Sequence, residues 1–353
     1  MKLHYVKNYD QVLFQLLFKE LQYSEHLSLS STGTPSIGYH FDLQNNEVLL
    51  YVLEALGFDI HGSMLQGETL VAEYYYIGLL QKAINETHYD NADRLNHTVN
   101  DILKKRRQDS RYPSFANINR VASFTLCDER AATGVAFSLI KLYEKKVDDW
   151  LTAFDFEMIK SNAYLLRRTT KERAVLVSLA AQGVLQHSNI ALAEALINDD
   201  RAECWYIIRY SLLGELPNTD PLLAKTTLKQ RYFESELFGL YDPAVNEANM
   251  NPEHCKSIYD MFNRHKTEII NHEKINRALI AEANNDFVLG GSDTIRTLEE
   301  SFKIAYNYLR TRNLKNTDAA KKIVTTPSNH HHKRTLWSTE NNAELTHSTA
   351  LAS

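Results

Sequence analysis

Thr34-Pro35-Ser36-Ile37-Gly38-Tyr39-His40-Phe41-Asp42-Leu43, TPSIGYHFDL, decides how this chain is read. Ile37, Tyr39, Phe41 and Leu43 are apolar and alternate with Ser36, Gly38, His40 and Asp42. Period-two alternation marks a half-buried strand, with the second set on one face. A straight strand rises roughly 3.3 Å per residue, which would hold Ser36 and Asp42 about 20 Å apart. Both serve one reacting atom only if the strand bends, and Gly38 is the residue that permits a bend. The same residues also fit a plain polar strand face with Asp42 opening the next turn.

Upstream, residues 9–23 carry Val12, Leu13, Leu16, Leu17 and Leu21 at helical spacing. Glu20 lies four residues after Leu16 and three after Leu17, on that apolar face and near the helix end. Partial desolvation and the negative end of the helix dipole both raise the pKa of a carboxyl group there. A raised pKa suits a general acid working near neutrality; a stem at the stripe's edge with its head in water is the alternative. If the strand bends, Ser36 and Asp42 converge opposite Glu20. Two carboxyl groups flanking one point are the equipment of glycoside hydrolysis.

The rest of the chain reads as helices. Residues 24–35 are rich in turn formers and predict a loop. NNEVLLYVLEALGF predicts a helix over 45–56, capped by Asn45 or Asn46 and stopped by Gly57. A helix follows over 68–85, then a more polar stretch, 86–118, whose run Lys104-Lys105-Arg106-Arg107 reads as a solvated helix end. Further helices are expected at about 127–150, 153–167, 171–187, 189–197, 200–212, 222–239, 252–281 and 292–312. The scarcity of glycine (12) and proline (7) agrees with an α+β, mostly helical protein.

Length and composition bound the function. A chain of 353 residues has room for about two domains. Its net charge of -5 argues against general nucleic-acid binding, which needs a basic excess. Cys127, Cys204 and Cys255 are odd in number and far apart, so reduced thiols are expected and no disulfide framework or metal site. No apolar run reaches transmembrane length, and no cofactor motif occurs. The start, MKLHYVKNYDQ, has no apolar core of a signal peptide.

TPSIGYHFDL resembles the TIGYGFDL signature of phage-type lysozymes, especially the pesticin-like muramidases of the lysozyme-like superfamily. Ser36 stands at the motif's threonine, followed by Ile37, Gly38, Tyr39, Phe41, Asp42 and Leu43. A second stretch, Cys204-Trp205-Tyr206-Ile207-Ile208-Arg209-Tyr210 and then Lys229 to Tyr241 (KQRYFESELFGLY), resembles the WYEIRY…RRYxEAELFGLY ending of the same group. The resemblance covers roughly residues 5–245, with 86–150 unaligned. It implies a two-lobed lysozyme-like fold, a small β-hairpin lobe beside a larger helical lobe. It also implies cleavage of peptidoglycan or another amino-sugar glycan. Glu20 would be the general acid, Asp42 the second carboxylate and Ser36 the hydroxyl that positions water, with Tyr39 and His40 as substrate contacts.

The chain departs from the motif at His40, where a second glycine is usual. There an imidazole would either pair with Asp42 or fill the cleft and block a sugar. Where the simplest phage lysozymes carry their aspartate, nine residues after the glutamate, this chain has Leu29, which leaves Asp42 as the second carboxylate. Glu25 competes with Glu20 but shortens the loop before Ser36. The alternative function is a catalytically dead or repurposed lysozyme-like effector acting as an interaction scaffold. The domains expected are 1–245 (muramidase-like), 246–314 (a helical extension) and 315–353 (a disordered tail). For a muramidase made in the cytoplasm without a signal peptide, the expected routes are export by specialised secretion machinery, with the tail as signal, release by phage lysis, or action elsewhere. Arg209, Arg231, Glu234 and Glu236 are expected to form an Arg–Glu network between two packed helices.

Overall fold

The computed structural model describes residues 1–18, 21–30, 33–86, 91–112, 123–185, 189–213, 221–276, 278 and 297–312. Glu20 and the tail expected over 315–353, with its His330–His332 run, lie outside the described residues. The chain is mostly helical with one small three-stranded antiparallel sheet. It divides into two compact units: Asp10–Lys146, and Met1–Tyr9 with the chain from Val147 onward. Residue 245, the expected end of the first domain, lies inside the second unit.

The Asp10–Lys146 unit opens with α1 (Tyr9–Phe18), followed by β1 (Ser24–Leu29), β2 (Pro35–Gly38) and β3 (Phe41–Asp42). α1 is described to Phe18, and Leu21, Gln22 and Tyr23, expected to continue it, are not helical. Beyond it the Tyr23 hydroxyl donates to the Leu126 carbonyl and the backbone from Ser24 is taken up by pairing with β2. β1 replaces the loop expected over 24–35. Its alternation is faint because Leu27 is its one fully buried side chain, and pairing with β2 rather than pattern makes it a strand.

α2 (Asn46–Ala55) begins and ends as the sequence predicts. Asn45 Oδ1 accepts from the amides of Glu47 (3.0 Å) and Val48 (3.4 Å), and Gly57 takes a left-handed φ of 87° beyond its end. α3 (Gly67–Asn85) and α4 (Ala92–Gln108) pack as a pair, and α5 (Glu129–Ala153) closes the unit. The division between the two units falls within α5.

The α3–α4 pair corrects the reading of the basic run. Lys104, Lys105 and Arg107 are exposed, but Arg106 is fully buried. Its guanidinium binds the equally buried Glu73 through two 2.8 Å bonds and lies 4.2 Å from the Phe58 ring centroid. The Tyr112 hydroxyl (2.6 Å) and the Asp59 amide (2.9 Å) also donate to the Glu73 carboxylate. The buried charge is therefore fully paired and hydrogen-bonded, the condition under which such a pair persists.

In the second unit, α6 (Asp155–Lys160) and a 3-10 turn (Asn162–Arg167) replace the single helix expected over 153–167. The extended backbone of Ser161 separates them, and its hydroxyl caps the turn by accepting from the Ala163 amide (3.0 Å). α7 (Lys171–Ala181), α8 (Ile190–Ile197), α9 (Arg201–Arg209), α10 (Pro221–Phe238), α11 (Pro252–Ile275) and α12 (Leu298–Thr311) complete it. α9 lies against α8, α10 and α11, and α11 against α12, so the residues beyond 245 pack into this unit.

Arg201 ties the unit's distant chain segments. It donates to Asp242 (2.9 Å), Glu172 (2.7 Å), the Phe238 carbonyl (2.8 Å) and the Lys2 carbonyl. Glu172 also accepts from the His4 backbone amide (3.0 Å). Burial pushes the Glu172 pKa up, but its 2.6 Å bond with the His4 ring Nδ1 and the Arg201 charge outweigh that and hold it below the usual range.

Removing one partner of the α3–α4 pair strands the other as an uncompensated buried charge. Glu73→Ala is expected to lower unfolding free energy by about 3–5 kcal/mol, measured by urea denaturation. A midpoint equal to wild type would contradict the pair's burial.

Candidate active site

The bend that the sequence demands is a reversal rather than a curve. Ile37 pairs with Phe41 and Ser36 with Asp42, leaving Gly38, Tyr39 and His40 as the turn. Gly38 (φ 66°) and His40 (φ 54°) both occupy left-handed backbone. A Cβ on Gly38 would lie 2.6 Å from Phe41 Cε2 and 3.1 Å from Leu126 Cδ1, so glycine is required on space as well as on φ.

The reversal makes Ser36 and Asp42 direct cross-strand neighbours instead of groups about 20 Å apart along a straight strand. The Leu43 amide donates to the Pro35 carbonyl (3.0 Å), which puts Ser36 and Asp42 at the adjoining non-hydrogen-bonded position. Side chains stand closest there, with α carbons roughly 4.5 Å apart. On the other side Ser36 pairs with Ser28, so Ser28, Ser36 and Asp42 form one row across all three strands. Ser36 is 4% exposed, and its Oγ lies 3.1 Å from Ser28 Oγ. Asp42 is exposed and accepts from the Gln44 amide (2.9 Å) through Oδ1.

The opposite face joins an aromatic cluster. The Tyr39 ring meets Phe14 edge-on at 5.5 Å and lies 6.1 Å from Tyr23 and 6.2 Å from Phe41. Phe18, two residues before Glu20, packs on both Phe41 (5.8 Å) and Tyr39 (6.3 Å). The described end of α1 is thereby fastened to the hairpin that carries Ser36 and Asp42.

Of the residues singled out in the sequence, the structure brings Ser36 and Asp42 together. Tyr39 is buried, its hydroxyl donating to Glu129 Oε1 (3.0 Å), with Thr133 Oγ1 at 3.3 Å; burial first, and then the Glu129 bond, raise its pKa. His40 sits exposed in the turn, and among the described residues it makes no ion pair with Asp42. Glu25 is exposed on β1.

Several neighbours carried no signal in the sequence. Ser28 is visible only once β1 is known to pair. Tyr143 of α5 lies near Asp42 and Glu47. Its hydroxyl pKa is pushed up to about 12 by burial first and then by those two charges. Lys146, one turn further along α5, forms an ion pair with Glu47. Glu25, Asp128 and Glu129 gather around Tyr23, whose pKa rises through burial and then through their charges. Among the described residues no group of three or more His, Cys, Asp or Glu side chains could hold a metal ion.

The second stretch marked by the sequence is a packing device. Arg209 donates to Glu236 (2.8 Å) and its guanidinium lies 3.9 Å from the Tyr232 ring centroid. Arg231 forms an ion pair with Glu234, which accepts from Ser178 (2.6 Å) and Gln182 (2.7 Å). Tyr206, Tyr210 and Tyr232 are buried, which takes their faces away from any sugar. Tyr210 (2.8 Å) and Tyr232 (2.7 Å) both donate to Glu273 Oε1 of α11. Beside them His272 Nδ1 lies 3.3 Å from the Tyr232 hydroxyl, and its Nε2 is buried without a hydrogen-bond partner among the described residues.

With that geometry in place, comparison with protein-family models, curated proteins and solved structures finds no match.

His272 gives the second unit a pH dependence. Burial is the largest influence on it; the Arg209 charge adds to it and Glu273 opposes, and together they lower its pKa to about 4. The folded value lies below the ordinary unfolded value of about 6.5, so the contribution is full above 6.5 and is lost as pH falls towards 4. Stability is expected to drop by about 2 kcal/mol between pH 8 and pH 5. His272→Gln should flatten that slope in thermal melts; identical slopes would exclude the assignment.

Proposed function

We propose that the protein is a glycoside hydrolase of the muramidase type, cutting the glycan strand of peptidoglycan by carboxylate acid–base catalysis. Glu20 protonates the glycosidic oxygen as it leaves. Asp42 is the second carboxylate, stabilising the oxocarbenium-like transition state or activating water, and Ser36 orients that water. The lysozyme-like two-lobed arrangement, with the hairpin and α1 forming the site's wall, is part of the same proposal.

One observation carries this reading: the end of α1 and the Ser36–Asp42 pair are held by the same aromatic cluster through Phe18, Tyr39 and Phe41. The described end of α1, two residues before Glu20, and the hairpin that bears Asp42 are thereby coupled as rigid elements, as positioned catalysis requires. The resemblance of TPSIGYHFDL to the muramidase signature supplies the substrate class. The 4% exposure of Ser36 favours the second reading, a lysozyme-like scaffold that binds without cleaving.

Purified peptidoglycan separates the two. Wild type is expected to release soluble muropeptides detected by mass spectrometry. Glu20→Gln and Asp42→Asn, folded by circular dichroism, should each lose about 100-fold or more in rate. No release from walls of several chemistries would leave the scaffold reading.

A further inference from the structure

Resting on that hydrolase reading, we propose that Ser28 is a positioning residue that sets the rotor of the Ser36 hydroxyl. A serine hydroxyl has one proton to give and two lone pairs, and it rotates to suit its partners. Among the described residues, the contact of Ser36 Oγ is Ser28 Oγ at 3.1 Å. The other contact of Ser28 Oγ is the Ser36 carbonyl at 3.4 Å, near the outer limit of a hydrogen bond.

The two oxygens share one proton between them, which leaves one proton over. When Ser28 donates, the Ser36 proton is excluded from the Ser28 side. The order of the row, Ser28 then Ser36 then Asp42, leaves it free to turn towards the Asp42 side. A water held between the Asp42 carboxylate and a sugar carbon then receives the Ser36 proton as a hydrogen bond. Its own proton goes to Asp42 and its remaining lone pair faces the carbon. When Ser36 donates instead, its proton is spent on Ser28 and the water loses one of its two guides. Ser28 touches neither water nor sugar, so its effect passes entirely through Ser36.

Double-mutant kinetics on a defined peptidoglycan glycan test this, using wild type, Ser28→Ala, Ser36→Ala and the double variant. Ser28→Ala is expected to lower kcat about tenfold with KM unchanged, because a misdirected guide affects the reacting geometry and not substrate binding. The double variant should be no slower than Ser36→Ala alone, since coupled residues are non-additive. Ser28→Thr and Ser28→Val, nearly equal in shape and both suited to a strand, isolate the hydroxyl should the alanine variant unfold. Threonine should keep wild-type kcat and valine should not. Multiplying losses in the double variant, or equal rates for threonine and valine, overturn the role of Ser28 while an active wild type keeps the hydrolase reading. A wild type inactive on every wall removes that reading and this inference with it.

Discussion

The reversal over Gly38, Tyr39 and His40 is the constraint on which the candidate site depends. Two left-handed residues within three positions are costly for ordinary side chains, roughly 1–2 kcal/mol each. Gly38 avoids the cost and also leaves space for Phe41, whose ring passes where a Cβ would stand. His40 accepts the same backbone region with a side chain present. Histidine is among the non-glycine residues that enter it most readily. Histidine at position 40 therefore leaves the turn intact, with its side chain exposed.

Each unit is also organised by a charge that burial would forbid if it were unpaired. Arg106 is held by Glu73, Tyr112 and Phe58 in one, and Arg201 by Glu172, Asp242 and three backbone carbonyls in the other. Burying two opposite charges gives little net stability over a packed apolar pair. It does exclude competing packings, because any register that separates the partners leaves a bare ion in the core. Arg201 reaches residues from Lys2 to Asp242, so one guanidinium penalises misplacement of several segments at once.

Helices were legible wherever an apolar stripe and a cap coincide, as at Asn45 and Gly57. The buried ion pair was legible in part. Leu95, Val99, Ile102, Leu103 and Arg106 fall on one helical face, and Glu73 shares a face with Tyr76, Ile77 and Leu80. Reading the basic run as a block of charge hid that periodicity. β1 was not legible, because an edge strand with one buried side chain takes its conformation from its neighbour. Ser36 and Asp42 stood out by alternation and by the need for a bend. Ser28, Tyr143, Glu47 and Lys146 did not, since their nearness to the site exists only after the strands pair and α5 lies alongside.

Ser36 and Asp42 meet opposite fates in one cross-strand pair, the hydroxyl buried and the carboxylate exposed. That division suits their chemistry. A hydroxyl acts by direction, and direction is kept best where bulk water cannot compete for the proton and a fixed partner limits rotation. A carboxylate keeps its charge most readily where water reaches it. Placing the pair on strands rather than in a loop fixes their separation by backbone pairing. Tyr39, buried between them in sequence and bonded to Glu129 of α5, anchors the turn that makes the pairing possible. Its ring, packed on Phe14, Phe18 and Phe41, holds the reversal in place while His40 beside it is exposed.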